Sequence, residues 1–178
     1  MRSSFCGLGA LVLLLGLVRV RGEVPVQVDF QQDQFTGRWF SIGFASNSRW
    51  FQEKKSVMKM CSTVVSPTAE GNLEQINARK SLFVRTEEAG RFRYTSSYSG
   101  TTSDVRVVET NYNEYALLVG QKVKDGQTFT MVSLYGRTKY LRPELVEKFT
   151  RFGLEQGLNP EQILILPRTG EKILGVVP

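Results

Sequence analysis

The chain of 178 residues contains no histidine and only two cysteines. Without histidine no Ser-His-Asp triad, Cys-His dyad or His-ligated zinc site can form. Two cysteines cannot build a four-thiolate metal site either. Apolar runs are scarce: one lies near the N-terminus, and no later run is long enough to span a bilayer. There is no low-complexity tract, internal repeat or N-x-S/T sequon, so N-glycosylation is not expected. What is present is ordinary for a folded protein: 41% hydrophobic residues and 11% aromatics. That content argues against disorder, and the length suits one domain with a full core that needs no disulfide framework.

Residues 1–22 read as a signal peptide. Arg2 supplies the positive start, Leu8 to Val18 the apolar run, and Val20-Arg21-Gly22 a cleavage site before Glu23. The alternative is an uncleaved anchor or a buried helix. Cleavage removes three of the 23 basic residues and no acid, which leaves 156 residues with 20 basic and 17 acidic side chains. The net charge of +6 falls to +3, too ordinary to imply nucleic acid. Cys6 is lost with the leader, so residues 23–178, read as one domain, keep Cys61 alone. A lone thiol is unusual on the oxidising secretory route.

The mature chain is a succession of short β-like segments: Arg38–Phe44, Ser56–Ser66, Leu73–Ile76, Ser81–Thr86, Arg91–Ser97, Asp104–Thr110, Glu114–Gly120 and Thr128–Gly136. Turn chemistry separates them at Glu70-Gly71-Asn72, Ala89-Gly90, Ser99-Gly100, Asn111/Asn113 and Lys124-Asp125-Gly126. One helix follows. Pro143 suits its first turn, Glu144 its positive end and Gly157 its exit. Leu145, Phe149 and Phe152 recur at i, i+4, i+7, an apolar stripe to lay on a sheet. Asn159-Pro160-Glu161 is a second capping turn, and Ile163–Leu166 a last strand.

Alternation in the second segment puts Val57, Lys59, Cys61, Thr63 and Val65 on one face, and Met58, Met60, Ser62 and Val64 on the other. Both faces are mixed, which suits either an edge strand or a barrel around a partly polar cavity. The pattern predicts an all-β sandwich or an eight-stranded up-and-down antiparallel barrel with one C-terminal helix packed outside; eight strands leave room for one small ligand.

Gly37-Arg38-Trp39, Thr110-Asn111-Tyr112 and Arg137 at the end of the last barrel strand resemble the three landmarks of the lipocalin family, with Asn111 where the family has Asp. The resemblance covers essentially the whole mature chain. It implies that Gly37, Trp39 and Arg137 close the barrel's narrow end as scaffold, the guanidinium lying across the indole. Further segments, among them Phe30–Asp33, Ala45–Ser48, Glu53–Lys55, Met60-Cys61, Val107–Thr110 and Ile165–Pro167, resemble the prostaglandin D synthase branch of that family.

In that branch a cavity cysteine is the nucleophile that isomerises prostaglandin H2 to prostaglandin D2, and the matching position is Cys61. The resemblance implies Ser41 as a hydroxyl beside it, and Thr63 on the same strand face as a second thiolate partner. Lys59, on that face too, would favour the thiolate and the ligand electrostatically. Phe44, Phe83, Tyr94, Met131 and Tyr135 are the other candidate ligand-binding residues. No metal or bound cofactor is implied, only an external thiol such as glutathione for turnover. Against a catalytic reading, Cys61 also suits a small buried core position.

Two departures from the family stand out. The stretch Asn72–Lys80 is short, and a cavity serine of the third strand has no counterpart. Both cysteines of the family disulfide are absent, the C-terminal position falling in Arg168–Lys172. Loss of such a bridge costs about 2–5 kcal/mol. The expected protein is a secreted, extracellular monomer that binds a small lipophilic molecule such as a prostanoid, retinoid or fatty acid, without nucleic acid or stable membrane insertion. It is either an isomerase acting through Cys61 or a non-catalytic carrier.

Overall fold

The computed structural model describes residues 23–96 and 99–168; residues 1–22, read above as a signal peptide, residues 97 and 98, and residues 169–178 lie outside it. Nine strands form one antiparallel sheet: β1 Gly37–Ser46, β2 Ser62–Pro67, β3 Leu73–Ile76, β4 Lys80–Arg85, β5 Arg91–Thr95, β6 Thr102–Thr110, β7 Tyr115–Lys124, β8 Gln127–Gly136 and β9 Ile163–Ile165. Neighbours in sequence pair in order from β2 to β8. β1 then pairs with both β8 and β2, closing an eight-stranded barrel, while β9 adds to β1 outside it. The barrel reading of the sequence holds, and the sandwich alternative falls.

The helix α3, Pro143–Glu155, packs outside as its stripe predicts. Phe149 and Leu145 bury against Ile42, Ala45, Leu117, Val119, Val132 and Leu134 on the barrel's outer wall. The closest approach is at Gly43: a Cβ there would lie 2.6 Å from the Phe149 ring. Asn159 caps the turn Pro160–Gln162, as its sequence suggests.

Three segments depart from the strand pattern. α1, Gln32–Phe35, crosses the barrel's narrow end. The second strand, expected over Ser56–Ser66, begins only at Ser62; before it residues 49–57 form α2, Arg49–Lys54, and a 3-10 turn, Lys55–Val57. Ser48 Oγ accepts from the Phe51 amide at 3.3 Å, and Arg49 pairs with Glu53 one turn on. Phe51 is fully buried, its ring 5.2 Å from that of Phe44, so tertiary burial fixes a helix in a stretch the sequence left unassigned, and its 3-10 extension takes Ser56 and Val57 out of the expected strand. β2 is therefore short. The third departure is a bulge in β1 between Ser41 and Gly43. It reverses the alternation, so Trp39, Ser41 and Phe44 face inward while Ile42 and Gly43 meet the helix side.

Candidate functional site

The narrow end is closed by the three landmark residues. Gly37 adopts φ +99°, which only glycine takes without strain, and a Cβ there would crowd the Arg137 guanidinium at 3.1 Å. Trp39 is buried, and its indole N–H donates to Phe35 O at 2.8 Å. Arg137 stacks on that indole with Cζ 3.7 Å from the ring centroid. Its N–H groups donate to the carbonyls of Tyr112, Arg38, Gln34 and Thr36 at 2.7–3.0 Å. Burial pulls the guanidinium below its ordinary pKa. The Thr110-Asn111-Tyr112 corner serves the same end. Asn111 Oδ1 accepts from the amides of Glu114 and Tyr115, and Thr110 Oγ1 donates to Tyr115 O. An amide oxygen does here what the family's aspartate oxygen would, so the substitution is conservative in this turn.

Above this floor lies a cavity of about 450 Å³, the size of a site for one small molecule. Phe35, Trp39 and Phe92 line its base. Phe44, Phe83, Tyr94, Met131 and Tyr135, each put forward from sequence, line its wall. The Phe83 and Tyr94 rings stack at 5.1 Å. Neutral polar groups punctuate the wall at Thr63, Gln75, Asn77, Ser81 and Ser133, and no charged side chain lines it. Such a chamber favours an apolar body carrying a few hydroxyl or carbonyl groups.

Lys59 does not join this wall. It is exposed and precedes β2, so strand alternation does not reach it. A cation that alternation does aim at the mouth is Lys122. It follows cavity-lining Gly120 by two residues, and its ammonium sits 5.7 Å from the centroid of Phe129, two residues before cavity-lining Met131. The period-two count along β7 could have found it. Trp50, which lines the cavity from α2, could not be found that way, since it lies between the strand segments read from the sequence.

Cys61 stands where β1 changes partner. The lower half of β1 pairs with β2 as far as Phe40↔Ser62; from Gly43 it pairs with β9. Ser41 and Cys61 are the next residues at that fork, immediately beyond the Phe40↔Ser62 pair. The Ser41 amide donates to Cys61 O at 2.9 Å, and the Cys61 amide to Ser41 Oγ at 2.9 Å. Ser41 Oγ is 3.4 Å from Cys61 Sγ, within hydrogen-bond reach for sulfur. Across the other edge of β1, Ser41 pairs with Tyr135. Burial pushes the Tyr135 phenol up, and a charge on Cys61 adds to that push.

Cys61 is a free cysteine and is exposed, not buried core. It lines a separate depression of about 310 Å³ with Arg38, Phe40, Met60, Ser62 and Lys139, not the main chamber. The fork explains this, because no β2 partner covers the wall above Ser62. Thr63 is buried and its hydroxyl donates to Ile76 O at 3.2 Å, so its proton is held away from the thiol. The hydroxyl beside Cys61 is that of Ser41.

Comparison with known proteins agrees with this architecture. Residues 36–170 match the lipocalin / cytosolic fatty-acid binding protein family. A protein of Rhinella marina named lipocalin is 48% identical over 90% of this chain and 92% of its own length. The prostaglandin-H2 D-isomerase of Mus musculus is 45% identical over 88% and 91%. The enzyme of the same name in Ursus arctos is 46% identical over 89% and 91%. Among solved structures, the siderocalin Ex-FABP, described as functioning through dual ligand specificities, superposes with a TM-score of 0.64 at 27% identity, covering 77% of this chain and 96% of its own. The barrel, its stacked Arg137–Trp39 closure and these similarities agree: the chain belongs to the lipocalin / cytosolic fatty-acid binding protein family.

Proposed function

We propose that this protein is a secreted prostaglandin-H2 D-isomerase that also holds small lipophilic molecules in its barrel. One observation supports the catalytic half: Cys61, a free and accessible cysteine, has its sulfur 3.4 Å from the Ser41 hydroxyl. The relatives named prostaglandin-H2 D-isomerase support the choice of reaction.

In this reading the Cys61 thiolate forms an S–O bond to one endoperoxide oxygen as the O–O bond breaks. The other oxygen takes a proton and becomes the hydroxyl. The carbon bearing the sulfur-bound oxygen then loses its proton, the S–O electron pair returns to sulfur, and the ketone forms. Atoms and electrons balance within the substrate, and an external thiol such as glutathione keeps Cys61 reduced. Ser41 Oγ–H, placed between Cys61 O and Sγ, stabilises the thiolate when it turns to the sulfur. The neutral chamber takes the substrate's chains, and Lys122 at the mouth suits a terminal carboxylate.

The test is product formation from prostaglandin H2 with thiol present, compared between wild type and Cys61→Ala. The variant should lose the prostaglandin D2 formed above the spontaneous rate and keep its ligand binding, read by quenching of tryptophan fluorescence. Unchanged activity in Cys61→Ala refutes the nucleophile. The exposure of Cys61 and its place outside the main cavity lining favour a second reading, a carrier alone. Saturable quenching by retinoic acid or a prostanoid, with no isomerase activity in the wild type, would select it.

A further inference from the structure

The open end of the barrel carries a combination found nowhere else among the described residues. β1 rises from the Trp39 floor to Ser46, so α2 and the turn after it sit at the mouth. β7 and β8 meet there too, through the Asp125-Gly126 turn, and Asn47 ties the two regions by bonding the backbone of Thr128 and Thr130. The β3–β4 turn, residues 77–79, reaches the same end. Trp50, Val57 and Val123 stand on this rim at 58%, 70% and 69% exposure. Phe51 anchors α2, and its neighbour Trp50 borders the cavity while keeping more than half its surface exposed.

Cations surround these apolar groups. Lys54, Lys59, Arg79, Lys122 and Lys124 have no carboxylate partner among the described residues, while Arg49 and Lys80 pair with Glu53 and Glu74. Asp125 and Glu161, whose backbone carbonyl accepts from Lys55, are exposed carboxylates near these cations. The closed end differs, with Asp29, Asp33, Glu70 and Glu87 exposed alongside Arg38, Arg85 and Lys139. The mouth thus carries an excess of cations around exposed apolar side chains, while the closed end carries both signs.

We propose that this rim docks the protein reversibly on an anionic lipid bilayer, the lysines lying at the headgroups and Trp50, Val57 and Val123 entering the interface. The charge complementarity selects anionic lipid, and an indole beside aliphatic side chains within a basic ring is the composition of an interfacial anchor. The cavity opens through the same rim, past Trp50, so docking sets the chamber against the source or destination of a lipophilic cargo. The proposal goes beyond the isomerase reading and does not depend on Cys61.

The experiment is flotation of the mature protein with phosphatidylcholine vesicles, with and without phosphatidylserine, at low and high salt. Trp39 is 1% exposed, so any change of tryptophan emission reports Trp50. Flotation only with phosphatidylserine, lost at high salt and accompanied by a blue shift, is the expected result. Lys54→Gln with Lys124→Gln should weaken partitioning by an order of magnitude or more, since each lysine near an anionic leaflet is worth about fivefold. Val57→Ser with Val123→Ser should weaken it at unchanged charge, and near-UV circular dichroism checks that both variants remain folded. No flotation, equal binding to both vesicles, or binding indifferent to either double variant overturns the proposal. Self-association abolished by Trp50→Ser, with no vesicle binding, assigns the rim to a second copy and overturns it as well.

Discussion

Replacing Arg137 by Met tests whether the narrow end is scaffold. Methionine keeps an apolar cover over the Trp39 face but removes the N–H donors to four carbonyls and the cationic contact at 3.7 Å. A hydrogen bond from a charged donor is worth about 1.5–3 kcal/mol when its partner is left buried. Arg137 is only half-buried, so water reaches some of the freed carbonyls, and the lower end of that range applies to about half of them. Adding about 1 kcal/mol for the ring contact, the loss comes to about 3–4 kcal/mol. For a chain of this size that is a fall in Tm of roughly 10 °C. Arg137→Lys should recover little, because a single ammonium cannot reach four carbonyls or stack flat. The assay is thermal melting by near-UV circular dichroism, paired with ligand titration below the melting range. A fall in Tm under about 3 °C, or affinity lost while Tm holds, would refute the scaffold role.

Gly43→Ala should destabilise the protein and loosen α3, since the added carbon meets the Phe149 ring at 2.6 Å; Phe149→Leu in the same chain should restore part of the loss, and thermal melts of both read this out. Gly120→Leu should fill the chamber from the wall, because its Cβ would already lie 3.3 Å from the Met131 methyl; ligand affinity measured by fluorescence should fall at least tenfold with little change in Tm. Glu109 holds Lys148 of α3 and the Tyr115 hydroxyl; burial alone would raise its carboxyl, but those two hydrogen bonds prevail and hold it below the ordinary 4.5. A carboxyl lowered in the fold contributes stability that is complete above 4.5 and lost as pH falls through its folded value, so acid melts of wild type should steepen below that point. Glu109→Gln should remove that part of the acid dependence and lower stability near neutrality; an unchanged acid profile would contradict the assignment.

Much of the barrel was legible because local chemistry and global fold agree. The turns at Gly71, Gly90 and Asp125-Gly126 fall where tight turns join short strands, and the Leu145–Phe149 stripe matches the outer wall it covers. Reading failed where packing overrode alternation. Residues 49–57 are helical because Phe51 is buried and Ser48 caps the turn, and no period in the sequence announces either. Phe44 faces the cavity only because of the bulge after Ser41, which a strict period of two would place differently.

The candidate site divides in the same way. Composition leaves thiol chemistry as the principal nucleophilic route: there is no histidine, and Cys61 is the free cysteine among the described residues. The landmark residues mark the closed end, since a flat cation beside an indole works as a plug in any barrel of this kind. Whether Cys61 is core or accessible could not be read from its neighbours in the chain. Its exposure follows from β1 exchanging β2 for β9 at that point, a choice made by strands far apart in sequence. The same long-range pairing gives Ser41 to the thiol, turns Thr63 toward Ile76, leaves Lys59 outside the chamber and gathers the cations of three separate segments around one mouth. Residue types set the chemistry available to this chain; closure of the sheet sets which of those groups meet.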